Sequence, residues 1–347
     1  MRRVSLSVAL LVLMSFCLPL AYADRGMIPV TPDVSVYESG QKAIVAWNGQ
    51  EEILILSTDV SASADTYVLE ILPLPSMPVV EAASFQTFQT IEDMIWMEGV
   101  NLEAFSTYFD ARSNSVEVLF HELIGAHNIT VVEANSASAL VDWANNFLSA
   151  TGVNQEITLQ NFESVVEDYM GRGFRHYVLD LISFSSQERS IDPILYRFDS
   201  DTLYYPLLIT SPVGGDGEIT LFTLTEEKLT ESYHPFSLAY YRGNGGQSQP
   251  IQFVLSKGDL SRIDLRISGL FQEKAWLNVV TYDGNLSYLN KDLMLSKSAF
   301  TSAADSSQTV AAELPFNFVV VSFMLGALAV SLGVVIGALI IRLSGKK

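Results

Sequence analysis

KAIVAWNGQEEILILST, residues 42–58, contains the dipeptide that most strongly indicates a β-hairpin. Two short apolar runs, Lys42–Trp47 and Glu51–Thr58, flank the dipeptide Asn48-Gly49. Asn-Gly favours the two-residue turn between antiparallel strands, because both residues tolerate positive φ angles. The stretch therefore predicts a β-hairpin.

Further strands and a few helices are predicted around this hairpin. Five apolar residues share one helical face: Leu140, Val141, Ala144, Phe147 and Leu148. Asn135 or Ser136 is a suitable N-cap for this helix and Gly152 a suitable stop. A second helix is predicted over Leu159–Met170, and Phe85–Phe105 has looser helical spacing that is interrupted at Gly99. Strands are predicted at Val34–Glu38, Tyr67–Pro75, Phe174–Phe184, Ile194–Phe198, Tyr204–Thr210, Glu218–Leu224, Ile251–Leu255 and Trp276–Tyr282. The expected fold is α+β, a predominantly antiparallel β domain with two or three helices, built either as one domain or as two lobes divided near residue 190.

The first segment has the three parts of a secretory signal. Arg2 and Arg3 precede an apolar run from Val4 to Leu20, and Ala21-Tyr22-Ala23 offers small residues for cleavage. Residues 1–23 are therefore predicted to be a signal peptide, with an uncleaved anchor as the alternative.

The C-terminal segment predicts a membrane span. Residues 316–341 carry no charge, and about 20 apolar residues suffice for a helix to cross the hydrocarbon core. The basic residues that follow favour a cytoplasmic tail. We therefore predict an extracytoplasmic domain at 24–295, a Ser/Ala-rich stalk at 296–314, a transmembrane helix at 315–341 and a cytoplasmic tail at 342–347. The protein is thus expected to be a single-pass protein of the cell membrane.

Small residues recur every four positions within this span. Ala329, Gly333 and Gly337 would lie on one helical face, which allows two helices to approach closely. Such residues are common in membrane spans, so a homo-oligomer and a plain anchor both stay open.

The exterior part is acidic and free of cysteine. Residues 24–313 hold all 39 acidic residues and 15 of the 20 basic ones, a net formal charge of −24. This charge repels nucleic acid, which we do not expect as a partner. The single cysteine, Cys17, lies in the predicted signal peptide, so the mature domain is expected to have no disulfide.

HELIGAH, residues 121–127, starts like a zinc-protease helix but does not match it. That motif needs histidines four apart, whereas His121 and His127 are six apart, about 240° around a helix. The apolar runs on either side of Gly125-Ala126 instead predict a hairpin. His121, Glu122 and His127 could share a metal across its strands, and the competing interpretation places the histidines at a solvent edge.

Other candidate sites rest on short patterns. Asp199 and Asp201 supply oxygen ligands suited to calcium but sit at a turn, where aspartate is common anyway. No other cofactor is expected, and no residue matches a nucleophile or phosphate-loop motif. Asn128 and Asn285 each begin an N-x-S/T acceptor, so both are glycosylation candidates if the host modifies such sites.

Three stretches in a fixed order resemble a known family. They are VLEILPLPSMP (Val68–Pro78), ITVVEANSASALVDWANNF (Ile129–Phe147) and ILYRFDSDTLYYPLLIT (Ile194–Thr210). Their LP-x-P, LxxW and YPL elements resemble domain of unknown function 2330, a secreted prokaryotic family, over roughly Asp24 to Pro212. The chain departs from it at Asp24-Arg25-Gly26-Met27, where family members often have Cys-Gly-Gly. The resemblance implies a secreted or surface-anchored protein and supplies no catalytic residue.

Two functions are compatible with the sequence. The first is a non-enzymatic binding or structural module of the prokaryotic envelope, whose partner is an envelope protein or a glycan, and it predicts an exposed apolar or aromatic patch. The alternative is an extracytoplasmic hydrolase with paired carboxylates, for example one acting on glycans. That alternative predicts a concave pocket in which two carboxylates converge.

Overall fold

The turn at Asn48-Gly49 joins two twelve-residue antiparallel strands, Val36–Trp47 and Glu51–Ala62, as the sequence predicts. Asn48 closes the turn, because its Oδ1 accepts hydrogen bonds from the backbone N–H groups of Gln50 and Glu51. Gly49 has a φ of 91°, in the left-handed region that favours glycine.

The computed structural model describes residues 28–30, 36–98, 123–150, 160–185, 191–212, 215–242 and 247–301. The predicted signal peptide, the predicted transmembrane helix and the predicted cytoplasmic tail lie outside these ranges, as does most of the predicted stalk. Helices in the described part of the chain are all too short or too polar to cross a bilayer.

The described strands are β1 Ile28–Pro29, β2 Val36–Trp47, β3 Glu51–Ala62, β4 Thr66–Leu74, β5 Val79–Ala82, β6 Leu123–Ile124, β7 His127–Glu133, β8 His176–Phe184, β9 Ile191–Asp199, β10 Leu203–Tyr205, β11 Asp216–Thr225, β12 Lys228–Leu229, β13 Ser237–Leu238, β14 Tyr240–Arg242, β15 Ser248–Pro250, β16 Gln252–Ser256, β17 Lys274–Asn285, β18 Leu293–Leu295 and β19 Phe300–Thr301. The α-helices are α1 Phe85–Met97, α2 Ala137–Ala150, α3 Gln160–Gly171, α4 Lys257–Ile263 and α5 Leu265–Leu270. Short 3-10 helices occur at Leu208–Thr210, Leu286–Tyr288 and Lys297–Ala299.

Two sheets organise the domain. The larger has the order β13-β17-β11-β2-β3-β9-β5, with β16 also paired to β17, and the smaller has the order β1-β4-β8-β7-β6. Strands β2 and β11 pair in parallel, and every other described pair is antiparallel. The fold is therefore α+β and rich in strands, as predicted.

The central hairpin is apolar at Ala43–Trp47 and Ile53–Leu56, where both of its faces are buried. Alternate residues of a strand point to opposite faces, so Val45 and Leu54 join the core shared with the smaller sheet and with α2 and α3. Ile44 and Ile53 point the other way, into a second core under α1, α4 and α5. A continuous apolar run is the sequence pattern of a strand covered on both sides.

The helix count exceeds the two or three predicted, because five helices are described. Helices α2 and α3 match the prediction closely, and the Ser136 Oγ accepts a hydrogen bond from the Ala139 N–H at the start of α2. Helices α4 and α5 were not predicted. The start of α4 carries a capping box in which the side chains of Ser256 and Asp259 bond each other's backbone, and this Ser-x-x-Asp spacing was a usable sequence signal.

Two predicted boundaries are wrong. The strand predicted over Tyr204–Thr210 ends at Tyr205, since Pro206 has no N–H for a ladder and the next residues turn into a 3-10 helix. The predicted stalk begins too early, because Ser296–Thr301 is folded: Phe300 is buried, with its ring centroid 5.8 Å from that of Trp47.

The described residues form one unit rather than two lobes divided near residue 190. They fall within the compact unit Met1–Ala303. Strand β9, which starts at Ile191, pairs with β3 from the other side of the supposed division.

The Gly49→Ala variant tests the hairpin turn. We expect the free energy of unfolding to fall by about 1–2 kcal/mol, because an L-residue is strained at a left-handed φ. A Cβ there would also displace the side chain of Lys297. Gly269→Ala in α5 is the matched control: nothing lies within 4 Å of its added Cβ, and we expect a gain of about 0.5 kcal/mol. Chemical denaturation measures both, and equal stability of Gly49→Ala and the parent would contradict the assigned turn.

Candidate functional site

A cleft lies at one end of the smaller sheet, where three chain segments meet. These are the turn before β4, the turn between β6 and β7, and the end of β8. The cavity has a volume of about 790 Å³. It is lined by Asp65, Thr66, Tyr67, Gly125, Ala126, Ser183, Phe184 and Ser185.

The wall formed by Gly125 and Ala126 is the hairpin predicted from HELIGAH. Ile124 pairs with His127, and Gly125 has a φ of 59°. The Ala126 carbonyl accepts a hydrogen bond from the Ser183 N–H, at 3.0 Å. A Cβ added to Gly125 would lie 3.1 Å from Oδ2 of Asp192, so the carboxylate of Asp192 lies close to the turn. The turn is therefore held between β8 and β9.

Tyr67 and Ser183 are two exposed residues of the lining. They are directly opposite each other on β4 and β8, so both side chains project from the same face. The Tyr67 side chain is 44% exposed, whereas its neighbours on β4, Thr66 and Val68, are buried. An aromatic ring is thus presented to solvent next to a hydroxyl.

Behind the cleft lies a buried ion pair. Nδ1 of His127 is 2.5 Å from Oδ2 of Asp180, and its Nε2 is 2.9 Å from the carbonyl oxygen of Asp192. The two side chains of the pair are only 5% and 1% exposed. Both ring nitrogens face acceptors, so the geometry favours the doubly protonated imidazolium.

The environment of His127 raises its pKa above the ordinary value. Burial by itself lowers this pKa, because it disfavours the charged ring. The charge of Asp180, the hydrogen bonds to Asp180 and to the Asp192 carbonyl, and the charge of Glu70 together outweigh burial. His127 therefore keeps its proton to higher pH in the folded protein than in the unfolded chain.

Glu70 completes this group, which we call the buried charge cluster: His127, Asp180 and Glu70. Glu70 lies directly opposite Asp180 and is 3% exposed. Along β4 and β8, Val68 and Ile182 lie between the two carboxylates and the end of the sheet that forms the cleft, and His127 is paired with Ile182. The three members of the cluster lie next to the cleft but are not among its lining residues.

A second buried polar group is centred on Asp292, whose side chain is fully buried. Its Oδ1 accepts hydrogen bonds from the Tyr169 hydroxyl at 2.6 Å and from the N–H groups of Leu207 and Leu208 at 2.8 and 2.9 Å. Its Oδ2 accepts from Nη1 of Arg172 at 2.8 Å. Burial, followed by the charge of Asp292, raises the pKa of Tyr169 well above its usual range. This group connects α3 to the segment after Pro206 and is structural.

The predicted metal candidates are not brought together in the described part of the chain. His127 is buried rather than at a solvent edge, which corrects that interpretation, and both of its nitrogens already have partners. His121 and Glu122 lie outside the described residues. Asp199 ends β9 with an exposed side chain, and Asp201 is exposed in the following turn. Among the described residues, no group of three His, Cys, Asp or Glu side chains is arranged to hold a metal ion.

The other candidates are placed as follows. Asn128 is half-buried in β7. Asn285 caps a 3-10 helix through its Oδ1, and its Nδ2 donates to Asp216 Oδ1 at 3.1 Å. Ala329, Gly333 and Gly337 lie outside the described residues.

Sequence reasoning missed the cleft and two members of the charge cluster. Glu70 and Asp180 each stand alone inside an apolar run, YVLEILPLP and HYVLDLISF. A lone carboxylate in a strand that is otherwise apolar was a signal for a buried partner. Nothing in the spacing of residues indicated that Tyr67, Gly125 and Ser183 would meet.

Solved structures of baculovirus P35 show a low similarity to the chain. The crystal structure of P35 has 10% sequence identity and a TM-score of 0.42, over 76% of this chain and 97% of P35. In the complex of P35 with caspase-8, the matched chain has 9% identity and a TM-score of 0.36, over 74% of this chain and 96% of its own length. These scores are too low for P35 to inform the fold or the function here. No curated protein matches the chain in sequence.

A family model does match. It describes an uncharacterised protein conserved in bacteria, DUF2330, and it matches residues 19–242. All residues that line the cleft, and the three members of the buried charge cluster, fall within this range.

Proposed function

The chain belongs to the DUF2330 family of uncharacterised bacterial proteins, and from this premise we propose that it is a surface module of the bacterial envelope. One C-terminal helix anchors it in the cell membrane, and the domain outside the cytoplasm binds an envelope component in the cleft beside Tyr67. The observation that carries the proposal is the cleft, whose volume of about 790 Å³ lies in the range of roughly 300–1,000 Å³ that is common for ligand sites.

The anchor is supported by the sequence at both ends of the chain. Residues 1–23 have the form of a signal peptide, and 315–341 form an apolar segment followed by a basic tail. The described domain ends at Thr301, which leaves a short polar connection before the apolar segment. A negative charge of −24 over residues 24–313 suits a domain that stays away from anionic headgroups and nucleic acid.

The chemistry of the cleft supports binding. Its lining combines one exposed aromatic ring, Tyr67, with the hydroxyl group of Ser183 directly across the ladder. Ligand sites typically join an apolar surface to a few polar groups that fix orientation. The glycine turn and the ion pair behind it hold this lining in place before any ligand arrives, which lowers the entropy cost of binding.

The hydrolase alternative has one observation in its favour. Glu70 and Asp180 converge, as a pair of catalytic carboxylates must. They are 3% and 1% exposed, however, and the row of Val68 and Ile182 lies between them and the cleft. A substrate held in the cleft does not touch either carboxylate, so a binding module is the better proposal.

Cysteine labelling tests the orientation. The parent chain has only Cys17, so single cysteines placed elsewhere report on their own side of the membrane. Gln272→Cys is at an exposed position of the domain, and Ser344→Cys is in the basic tail. With a maleimide that does not cross membranes, we expect Gln272→Cys to react in intact cells and Ser344→Cys to react only after lysis.

The parent chain is the control for this experiment, because it measures any labelling of Cys17. Labelling of Ser344→Cys but not of Gln272→Cys in intact cells would reverse the orientation and overturn the proposed surface location.

A further inference from the structure

The geometry points to a conformational device at the cleft: loss of the His127 proton releases the Gly125-Ala126 turn from β9 and so loosens one wall of the cleft. The inference rests on the proposed binding function only for its use in regulating the cleft, because the release of the turn itself needs no ligand. It depends on which acceptors face the imidazole ring, on which sheets carry them, and on the position of His127 directly after the turn.

His127 links the two sheets. It is the first residue of β7 in the smaller sheet, directly after Gly125-Ala126. Its Nδ1 donates to Oδ2 of Asp180 on β8, the neighbouring strand of the same sheet. Its Nε2 donates to the carbonyl oxygen of Asp192 on β9 of the larger sheet, at 2.9 Å. One side chain therefore ties the start of β7 to both β8 and β9, and the bond through Nε2 is the one that crosses between the sheets.

The ring makes both bonds only while it is doubly protonated. A neutral imidazole carries one N–H, and its other nitrogen becomes an acceptor. The remaining proton stays on Nδ1, because a hydrogen bond to the buried Asp180 carboxylate is charge-assisted and stronger than a bond to a carbonyl oxygen. Nε2 then presents a lone pair to the Asp192 carbonyl oxygen, and two buried acceptors that face each other without a proton are destabilising. The start of β7 therefore separates from β9.

The groups that face the ring from the neighbouring strands set the pH at which this happens. Burial lowers the pKa of His127, but the charge of Asp180 on β8, the hydrogen bonds to Asp180 and to the Asp192 carbonyl on β9, and the charge of Glu70 on β4 raise it more. The Asp192 carboxylate also lies close to the turn, 3.1 Å from the position of a Gly125 Cβ. The turn is therefore held at pH 6.5 and below, and it is released as the pH rises through the raised pKa.

The turn keeps its contacts within the smaller sheet when the bond to β9 is lost. The Ala126 carbonyl accepts a hydrogen bond from the Ser183 N–H on β8, at 3.0 Å, and Ile124 is paired with His127 across the turn. Gly125 and Ala126 both line the cleft. The expected change is therefore a local loosening of the cleft wall, without unfolding of the sheet.

The test uses the full chain in detergent micelles, with isotope-labelled histidine rings and alanine methyl groups. NMR follows the His127 ring nitrogens and the Ala126 methyl group from acid to alkaline pH. We expect Nε2 to lose its proton while Nδ1 keeps its own, and the Ala126 methyl signal to shift with the same midpoint. The order parameter of the Ala126 methyl axis, which follows the backbone, is expected to fall from about 0.85 to below about 0.6.

Two variants and one reference methyl group make the result specific. His127→Gln has no group that titrates at this position, and we expect its Ala126 signal to stay constant over the same pH range. His176→Gln removes a histidine at the opposite end of β8, and its Ala126 signal is expected to titrate as in the parent. The methyl group of Ala43, which is buried in the central hairpin, is expected not to move in any of the three proteins.

An Ala126 signal that stays fixed while His127 loses its proton overturns the inference, and so does an unchanged titration of Ala126 in His127→Gln. A ring that keeps both protons until the protein unfolds, or that loses the Nδ1 proton first, overturns it as well. The parent alone supplies the coincidence of midpoints, so the test does not depend on the folding of His127→Gln. A reversed orientation in the cysteine-labelling experiment would remove the proposed function and leave the titration of the turn unaffected.

Discussion

Replacing His127 with alanine is expected to lower the free energy of unfolding by about 3–5 kcal/mol. The imidazole and the Asp180 carboxylate are 5% and 1% exposed and lie 2.5 Å apart. Removing the cation leaves the Asp180 carboxylate buried, opposite Glu70, without its ion-pair partner. The Asp192 carbonyl loses its bond to the ring as well. Chemical denaturation of the parent and the variant measures the difference.

Two further variants distinguish the stability effect of the buried charge from that of an ordinary surface ion pair. Arg262→Ala removes the surface pair with Asp259, whose side chains are 59% and 31% exposed, and should cost less than about 1 kcal/mol. Asp180→Asn keeps an oxygen that accepts from His127 and removes the charge, so its effect should be intermediate. If His127→Ala costs no more than Arg262→Ala, the buried ion pair does not stabilise the fold more than a surface pair does.

The same ion pair predicts how stability depends on pH. The folded-state pKa of His127 is raised above 6.5 by Asp180 on β8, by the Asp192 carbonyl on β9 and by Glu70 on β4, against the effect of burial. The folded protein then holds this proton more tightly than the unfolded chain does. The stabilisation is fully present below pH 6.5 and is lost as the pH rises through the raised pKa. The stability difference between the parent and His127→Ala should therefore shrink in alkaline solution.

Asp292→Ala is expected to have a similarly large effect, about 3–5 kcal/mol. The fully buried carboxylate accepts four hydrogen bonds, from Tyr169, Arg172, Leu207 and Leu208. Alanine would leave the buried backbone donors of the segment after Pro206 without an acceptor. Thermal or chemical unfolding would report the loss as a lower midpoint with an unchanged slope.

Asp168 provides a matched control, because it contacts the same arginine from the surface. Its pair with Arg172 is an i,i+4 contact within and just beyond α3, and the Asp168 side chain is 52% exposed. Asp168→Ala should cost about 0.5 kcal/mol or less. Equal losses for Asp168→Ala and Asp292→Ala would mean that the burial of Asp292 and its backbone contacts do not stabilise the fold.

Local signals predicted the elements of this fold well. Asn48-Gly49 specified the central hairpin, Gly125-Ala126 marked the second one, and Ser136 capped α2 where the apolar spacing began. Each of these depends on residues only a few positions apart. The end of β10 was missed because Asp292, far along the chain, captures the N–H groups after Pro206.

Most of the candidate site could not be predicted from sequence patterns within single segments. Tyr67, Gly125 and Ser183 come from three separate segments, and only the order β4-β8-β7-β6 brings them together. The buried charge cluster likewise combines β4, β7 and β8. The order of strands in a sheet depends on how the apolar faces of all the strands and helices are buried together. The spacing of residues within one segment does not determine that order.

The parallel pairing of β2 with β11 has a consequence for biogenesis. Residues Gln41–Trp47 and Ile219–Thr225 are neighbours in the sheet although about 180 residues of chain separate them, a topology that slows folding. A polypeptide that is delivered N-terminus first can form the β2–β3 hairpin as soon as both strands are available. The edge of β2 that pairs with β11 stays exposed until β11 has been delivered, and β11 in turn pairs with β17, which follows later in the chain. Chaperones that bind exposed apolar strand edges are expected to act in that interval, on an intermediate in which β2 still lacks its neighbour β11.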